Sequence, residues 1–86
     1  MEKSIHTDEY TTVTSLLIET RKSAGITQVQ LAELLGRSQS FVSKVERGEN
    51  RLDVIQLRTI LKTLGTTLAA FVEELEKRLP KQKKKR

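Results

Sequence analysis

The stretch QVQLAELLGRSQSFVSKVER, from Gln28 to Arg47, predicts two short helices broken at Gly36. Apolar residues recur at helical spacing in its first half: Val29, Leu31, Ala32, Leu34 and Leu35. Gly36 follows the last apolar pair, where a glycine ends a helix at least cost because it adopts positive φ freely. Ser38 can then cap a second helix. The pattern therefore predicts a tight helix-turn-helix.

The residues just before this stretch supply a helix start. Thr27 is a typical N-cap residue, and Gln30, three positions later, completes a capping box. Ile26 and Leu31 flank the box at the spacing of a hydrophobic staple. We therefore expect the first helix of the pair to span about 28–35.

The second helix of the pair, expected over about 39–47, has two different faces. Phe41, Val42 and Val45 form an inward stripe. The outward positions carry hydrogen-bonding or basic side chains: Gln39, Ser40, Ser43, Lys44 and Arg47. No carboxylate lies between Ser38 and Val45, so the outward face can approach a polyanion without repulsion.

These residues resemble the phage-repressor and Cro-like helix-turn-helix family, also called the XRE family. The positions that match its pattern are Gln28, Ala32, Gly36, Val42, Val45 and the run Glu46-Arg47-Gly48-Glu49. The resemblance covers about residues 16–75. It implies an all-α, compact five-helix, lambda-repressor-like DNA-binding domain, in which the second helix of the pair lies in the major groove of DNA.

The resemblance also implies roles for individual side chains. Four residues are expected to read bases, since glutamine suits adenine and lysine suits guanine: Gln39, Ser40, Ser43 and Lys44. Four others are expected to contact phosphates: Gln28, Ser38, Arg47 and Arg51. Members of the family pair an arginine of helix 1 with the glutamate that ends the recognition helix, so we expect a structural ion pair between Arg21 and Glu46. The alternative is two separate solvated charges.

The composition of the chain argues against catalytic and metal-binding functions. The 86 residues are 36% hydrophobic and 3% aromatic, which predicts one domain with a small aliphatic core. The absence of cysteine excludes disulfides and thiolate metal sites, and His6 has no second histidine to join it in a metal site or an acid–base pair. We therefore expect no catalytic residues, no metal, no cofactor and no small-molecule ligand.

Two features of the sequence indicate where in the cell the protein is expected. No apolar run reaches the roughly 20 residues needed to span a membrane. The N-terminus, MEKSIHTDEY, lacks the apolar core of a signal peptide. We therefore expect a cytoplasmic protein without membrane contact.

The net charge of +5 is unevenly distributed. Residues 81–86 carry five positive charges, so residues 1–80 keep 11 basic against 11 acidic residues and are neutral. Within residues 1–80 the basic side chains concentrate in the middle and the acidic ones near the ends. This polarity is typical of nucleic-acid binding, with ordinary solvated charges as the alternative.

The rest of the chain predicts three more helices. Together the five are expected over about 8–24, 28–35, 39–47, 54–64 and 67–79. Thr7 starts the first, and Asp53 with Gln56 repeats the capping box at the fourth. The fourth helix has an apolar stripe formed by Val54, Leu57, Ile60, Leu61 and Leu64. We expect one domain over 7–80, between a flexible arm, 1–6, and a disordered basic tail, 81–86.

The fifth helix carries a heptad-like seam formed by Leu68, Val72, Leu75 and Leu79. We interpret this seam as the interface of a homodimer. The alternative is that it packs on the first and fourth helices of the same chain.

Together these features predict a homodimeric transcriptional regulator that binds double-stranded DNA, as a repressor that competes for promoter DNA. One alternative is an antitoxin of the same fold, which binds a toxin protein and regulates its own operon. Another is an adaptor whose helix-turn-helix contacts a protein. An exposed apolar patch on the second helix of the pair would favour the adaptor, and the sequence has none there.

Overall fold

The computed structural model describes residues 8–80, which form five α-helices and, within that range, no strand. The helices are α1 Asp8–Ser23, α2 Gln28–Leu35, α3 Gln39–Glu46, α4 Val54–Thr63 and α5 Leu68–Arg78. The predicted all-α, five-helix fold is confirmed. The expected arm 1–6, the cap Thr7 and the basic tail 81–86 lie outside the described residues.

Two capping boxes start α2 and α4. The Thr27 hydroxyl accepts from the Gln30 backbone N–H at 3.0 Å, and the Gln30 side chain accepts from the Thr27 N–H at 2.9 Å. Asp53 and Gln56 make the same reciprocal pair at 2.7 and 2.9 Å. Each box satisfies two donors that a helix start otherwise leaves unpaired, and an N-cap of this kind contributes about 1 kcal/mol.

The turn between α2 and α3 depends on Gly36, whose φ is +68°. The Gly36 N–H donates to the Glu33 carbonyl at 3.2 Å, and the Arg37 N–H donates to the Ala32 carbonyl at 2.9 Å, which closes the end of α2. An added side chain would meet no atom within 4 Å, so backbone conformation and not crowding favours glycine here. Ser38 then caps α3 by accepting from a backbone N–H at 3.1 Å.

One apolar core joins all five helices. Among the described residues its buried members are Leu16, Leu17, Leu31, Ala32, Val42, Val45, Ile60, Leu61, Leu64 and Phe71. Leu61 of α4 is fully enclosed. α3 packs against α2 and α1, while α5 packs against α4 and α1. α3 is thus supported from behind and keeps one face in solvent.

Three residues of the expected apolar stripes are exposed: Val29, Leu34 and Val54. On α2 the buried face centres on Leu31 and Ala32, and at 100° per residue Val29 and Leu34 lie roughly 110° to either side of it. Val54 is the first residue of α4 and is 58% exposed. The buried stripe of α2 is therefore narrower than the sequence pattern predicts, and the buried stripe of α4 is shorter.

The helix ends differ slightly from the expected spans, because several terminal residues act as caps. Arg47 and Leu64 cap the C-termini of α3 and α4, and Thr67 caps the N-terminus of α5. α1 ends one residue earlier than expected, at Ser23. These residues border their helices without belonging to them.

An exposed ion-pair cluster links α5 to α1. Arg78 Nη1 donates to Glu19 Oε2 and Arg78 Nε donates to Glu74 Oε2, both at 2.9 Å. The hydrogen bond from Arg78 lowers the pKa of Glu19, and the attraction between the two charges acts in the same direction. α5 therefore has a defined polar contact at its C-terminal end as well as an apolar one through Phe71.

Candidate nucleic-acid interface

α3 presents a polar face to solvent because its apolar side chains are used in the core. Val42 and Val45 are each 2% exposed. Gln39, Ser40 and Lys44 are exposed, and Ser43 is half-buried. The large exposed hydrophobic residues of the described chain are Val29, Leu34, Val54, Ile55 and Val72. None of them lies on α3, so its free surface is hydrophilic.

Arg21 and Glu46 form a buried ion pair behind this face. Arg21 Nε donates to Glu46 Oε2 at 2.6 Å, and Arg21 Nη2 donates to Glu46 Oε1 at 3.1 Å. The two side chains are only 9% and 4% exposed. Arg21 Nη1 donates to the carbonyl of Ile26 at 2.8 Å. The two residues are therefore not separate solvated charges, and their bidentate contact fixes α3 relative to α1.

Two glutamines extend this pair towards solvent. Gln28 Nε2 donates to Glu46 Oε1 at 2.9 Å, and Gln39 Nε2 donates to Gln28 Oε1 at 3.3 Å. A continuous chain of side-chain hydrogen bonds thus runs from the buried Arg21 to the first residue of α3. It restricts the side chain of Gln39 while leaving its carbonyl oxygen and second amide hydrogen without a partner in this chain of bonds.

At the other end of α3, Arg47 is paired with Glu49 of the following turn. Arg47 Nε and Nη2 donate to the two carboxylate oxygens at 3.0 and 3.2 Å, and Nη1 donates to Ser43 Oγ. The hydrogen bond to Glu49 raises the pKa of Arg47, with charge attraction second. Like any arginine, Arg47 is charged at neutral pH, and any phosphate that binds it must compete with Glu49.

A shallow groove borders α3 on the side of α4. Its walls are formed by Leu35, Arg37, Phe41, Ile55, Gln56, Thr59 and Ile60. The groove has a volume of about 160 Å³, below the roughly 300 Å³ at which typical small-molecule sites begin. The polar face of α3 therefore remains the main candidate for function.

A family model of the helix-turn-helix, HTH_3, matches residues 17–71. The matched range includes α2, α3 and α4 entirely. The chain belongs to the XRE family of helix-turn-helix proteins. A comparison with curated proteins found no match.

Solved structures of XRE-type proteins resemble the chain closely. An XRE-family like protein from Pseudomonas syringae pv. tomato str. DC3000 is 47% identical, with a TM-score of 0.77 over 84% of this chain and 88% of that one. The wild-type restriction-modification controller protein C.Esp1396I is 26% identical, with a TM-score of 0.77 over 91% of this chain and 100% of that one. An HTH_3 family transcriptional regulator from Vibrio cholerae is 28% identical, with a TM-score of 0.67 over 79% of this chain but 39% of that one.

XRE-family proteins are DNA-binding transcription regulators and not enzymes, and the chain is a DNA-binding regulator of this family. Within residues 8–80, no group of side chains is arranged to hold a metal ion. None of the helices described is both long enough and apolar enough to span a bilayer.

Two arginine side chains of this XRE protein stack on aromatic rings, and the sequence patterns did not predict either contact. The guanidinium carbon of Arg37 lies 3.8 Å from the centroid of the Phe41 ring, and that of Arg51 lies 4.1 Å from the centroid of the Tyr10 ring. Arg37 lies in the turn before the N-cap Ser38 and outside α3, so helical spacing does not predict its contact with Phe41. Tyr10 and Arg51 are far apart in sequence, and no local pattern connects them.

The residues of the expected seam of α5 differ in how far they are buried within their own chain. Leu68 and Leu75 are half-buried and pack against the core of their own chain. Val72 is 41% exposed. Leu79 is half-buried and follows the last residue of α5. Half of the seam is therefore used within the chain, and Val72 is the seam residue with the most free surface.

Proposed function

We propose that the protein is a homodimeric repressor that reads operator DNA with the exposed face of α3. The observation that carries this proposal is the polar face of α3, held in place by the buried Arg21–Glu46 pair. A rigid helix with hydrogen-bonding side chains can enter a major groove with little loss of entropy. Repression then needs only that the operator overlap a promoter, since bound protein excludes other proteins from the same DNA.

In this proposal the first residues of α3 read base edges. Gln39 has a carbonyl oxygen and an amide hydrogen for adenine N6 and N7, and Gln28 holds it in position. Lys44 is exposed on the same helix and suits guanine O6 and N7. Ser40 and Ser43 add hydroxyl groups that can donate or accept.

Phosphate contacts surround these base readers. The Ser38 hydroxyl accepts from the Phe41 N–H and can still donate its own proton to a phosphate. Gln28 starts α2, where free backbone N–H groups and the helix dipole favour an anion. Arg47 and Arg51 supply positive charge beyond the C-terminal end of α3. Arg47 can bind a phosphate when that phosphate replaces Glu49 as its partner.

The proposed dimer uses the exposed part of the α5 seam. Val72 provides the apolar contact, and Leu68, Leu75 and Leu79 border it. A two-fold dimer presents two copies of α3, which matches paired half-sites about one helical turn, or about 10 base pairs, apart.

Replacing Val72 with aspartate should convert the dimer into a monomer, because the interface would bury an unpaired charge. Val54→Asp is a matched control, since it makes the same change at another exposed valine, on α4. Sedimentation velocity at micromolar concentration should detect monomers for Val72→Asp and dimers for Val54→Asp. Dimers for Val72→Asp and monomers for Val54→Asp would instead place the interface at the start of α4. Dimers for both variants would show that neither valine lies in the interface.

Selection from a random duplex library with the purified protein tests the proposed function directly. We expect an enriched inverted repeat that binds at least about 10³-fold more tightly than random DNA at the same salt concentration. A library without enrichment would contradict sequence-specific binding.

Other observations would favour the two alternative functions. Purification of the untagged protein with a second chain bound would favour the antitoxin, and protein binding without any DNA binding would favour the adaptor.

A further inference from the structure

Arg51 is stacked on the only tyrosine of the chain. Arg51 is exposed in the loop between α3 and α4, and Tyr10 is half-buried in the first turn of α1. The guanidinium carbon lies 4.1 Å from the centroid of the Tyr10 ring. This distance is well inside the roughly 6 Å at which a cation and a ring face attract each other.

The backbone that carries Arg51 is held against the end of α3. The Glu49 and Asn50 N–H groups both donate to the Lys44 carbonyl, at 2.9 and 3.2 Å. The base of the Arg51 side chain is therefore fixed by the loop, and its charged end rests on the ring of Tyr10. Tyr10 thus limits the rotamers of this long side chain.

Tyr10 lies one helical turn before the residues that α1 contributes to the core. The buried members of the core from α1 are Leu16 and Leu17, and Val13 packs against them. Tyr10 belongs neither to that buried cluster nor to the partly buried side chains that pack against it. Its ring face is used by a cation, as is the ring of Phe41 beneath Arg37.

Stacking leaves a guanidinium able to bind an anion. Its N–H groups lie in the plane of the group, so a ring against one face does not cover them. A phosphate can approach this edge while the ring remains in contact. A stacked arginine is then ordered before DNA arrives, and it loses less entropy on binding than a free one.

We infer that Tyr10 is a positioning residue that holds Arg51 in the orientation in which it contacts the DNA backbone. This inference rests on the proposed function, because it assigns Arg51 to a phosphate. It adds the start of α1 to the DNA-binding machinery through a side chain that itself touches no nucleotide. The contribution is independent of base sequence, since a phosphate carries no sequence information.

A measurement without DNA tests the stack itself. The ring current of Tyr10 should move the NMR signals of the Arg51 side chain upfield, and the Tyr10→Leu substitution should abolish that shift. Tyr10→Phe should retain it, because the ring face is preserved. Arg51 signals that are unchanged in Tyr10→Leu would overturn the inference whether or not the protein binds DNA.

A double-mutant cycle on DNA tests the positioning role. Tyr10→Leu should weaken binding to the selected site and to random DNA by about two- to fivefold each, and Tyr10→Phe should not. In an Arg51→Ala background, Tyr10→Leu should have no further effect, because the group that it positions is gone. Thermal unfolding of the same variants separates this effect from a loss of folded protein.

The outcomes distinguish the two hypotheses. If the unmodified protein selects DNA while the effects of Tyr10→Leu and Arg51→Ala simply multiply, the positioning role is wrong and the proposed function stands. If Tyr10→Leu weakens the selected site but not random DNA, Tyr10 acts on base reading and the inference is also wrong. If the unmodified protein binds no duplex, both hypotheses fail.

Discussion

Replacing Glu46 with alanine should lower the free energy of unfolding by about 3–5 kcal/mol, which is a large part of the stability of a domain this small. The substitution leaves the guanidinium of Arg21 buried, with the Ile26 carbonyl as its one remaining partner within residues 8–80, and it also removes the acceptor of Gln28. Urea unfolding followed by circular dichroism measures the change, with an unchanged slope expected if the denatured state is unaffected. The melting temperature should fall by about 12 °C or more.

Two further variants make this result specific to the buried pair. Glu49→Ala removes a carboxylate that also binds an arginine, but the Arg47–Glu49 pair is about half exposed, so the unfolding midpoint should hardly move. The double variant Arg21→Met, Glu46→Leu replaces the buried pair with apolar side chains, and it should recover much of the loss. A small effect of Glu46→Ala would contradict the view that this pair holds α3 in place.

The same double variant should separate stability from DNA binding. It keeps the core filled, but it breaks the hydrogen-bond chain that passes from Glu46 through Gln28 to Gln39. We therefore expect it to fold while binding its operator more weakly than the unmodified protein does. The buried pair thus matters for the geometry of the reading surface as well as for the stability of the fold.

Features determined by neighbouring residues were predictable from the sequence. The caps at Thr27 and Asp53 and the glycine turn at Gly36 depend on a few consecutive residues, so their spacing was enough to predict them. The burial of Val42 and Val45 followed from helical periodicity in the same way.

Features that depend on the packing of separate helices could not be read from local patterns. Val54 continues the apolar stripe of α4, yet it is exposed because it begins its helix. The bond between Gln28 and Glu46 joins α2 to α3, and the stack of Tyr10 on Arg51 joins α1 to a loop far along the chain. Such contacts follow from the relative positions of helices, which helical periodicity alone does not specify.

Lys44→Ala should weaken binding to the selected site by about 1–3 kcal/mol and relax the preference at one base pair. Lys44 is exposed on α3, and within the described residues its side chain makes no hydrogen bond or ion pair, so the loss would come from the DNA contact. Lys77→Ala, which removes an exposed lysine from α5, is the matched control and should leave that preference intact. Both variants should fold like the unmodified protein.

Arg51→Ala provides the contrasting case, because charge alone would make Arg51 and Lys44 equivalent. It should weaken the selected site and random DNA about equally. It should also reduce the slope of log affinity against log salt by about one unit per protomer, as expected for one lost phosphate contact. Base reading and phosphate binding are thereby separated by two single substitutions.

The most direct test of base reading by α3 is the ratio of affinities for the selected site and for shuffled DNA, measured in competition at one salt concentration. We expect Lys44→Ala to lower this ratio about five- to 150-fold and Arg51→Ala to leave it unchanged. A ratio that stays intact in Lys44→Ala and falls in Arg51→Ala would contradict the assignment of α3 to the major groove.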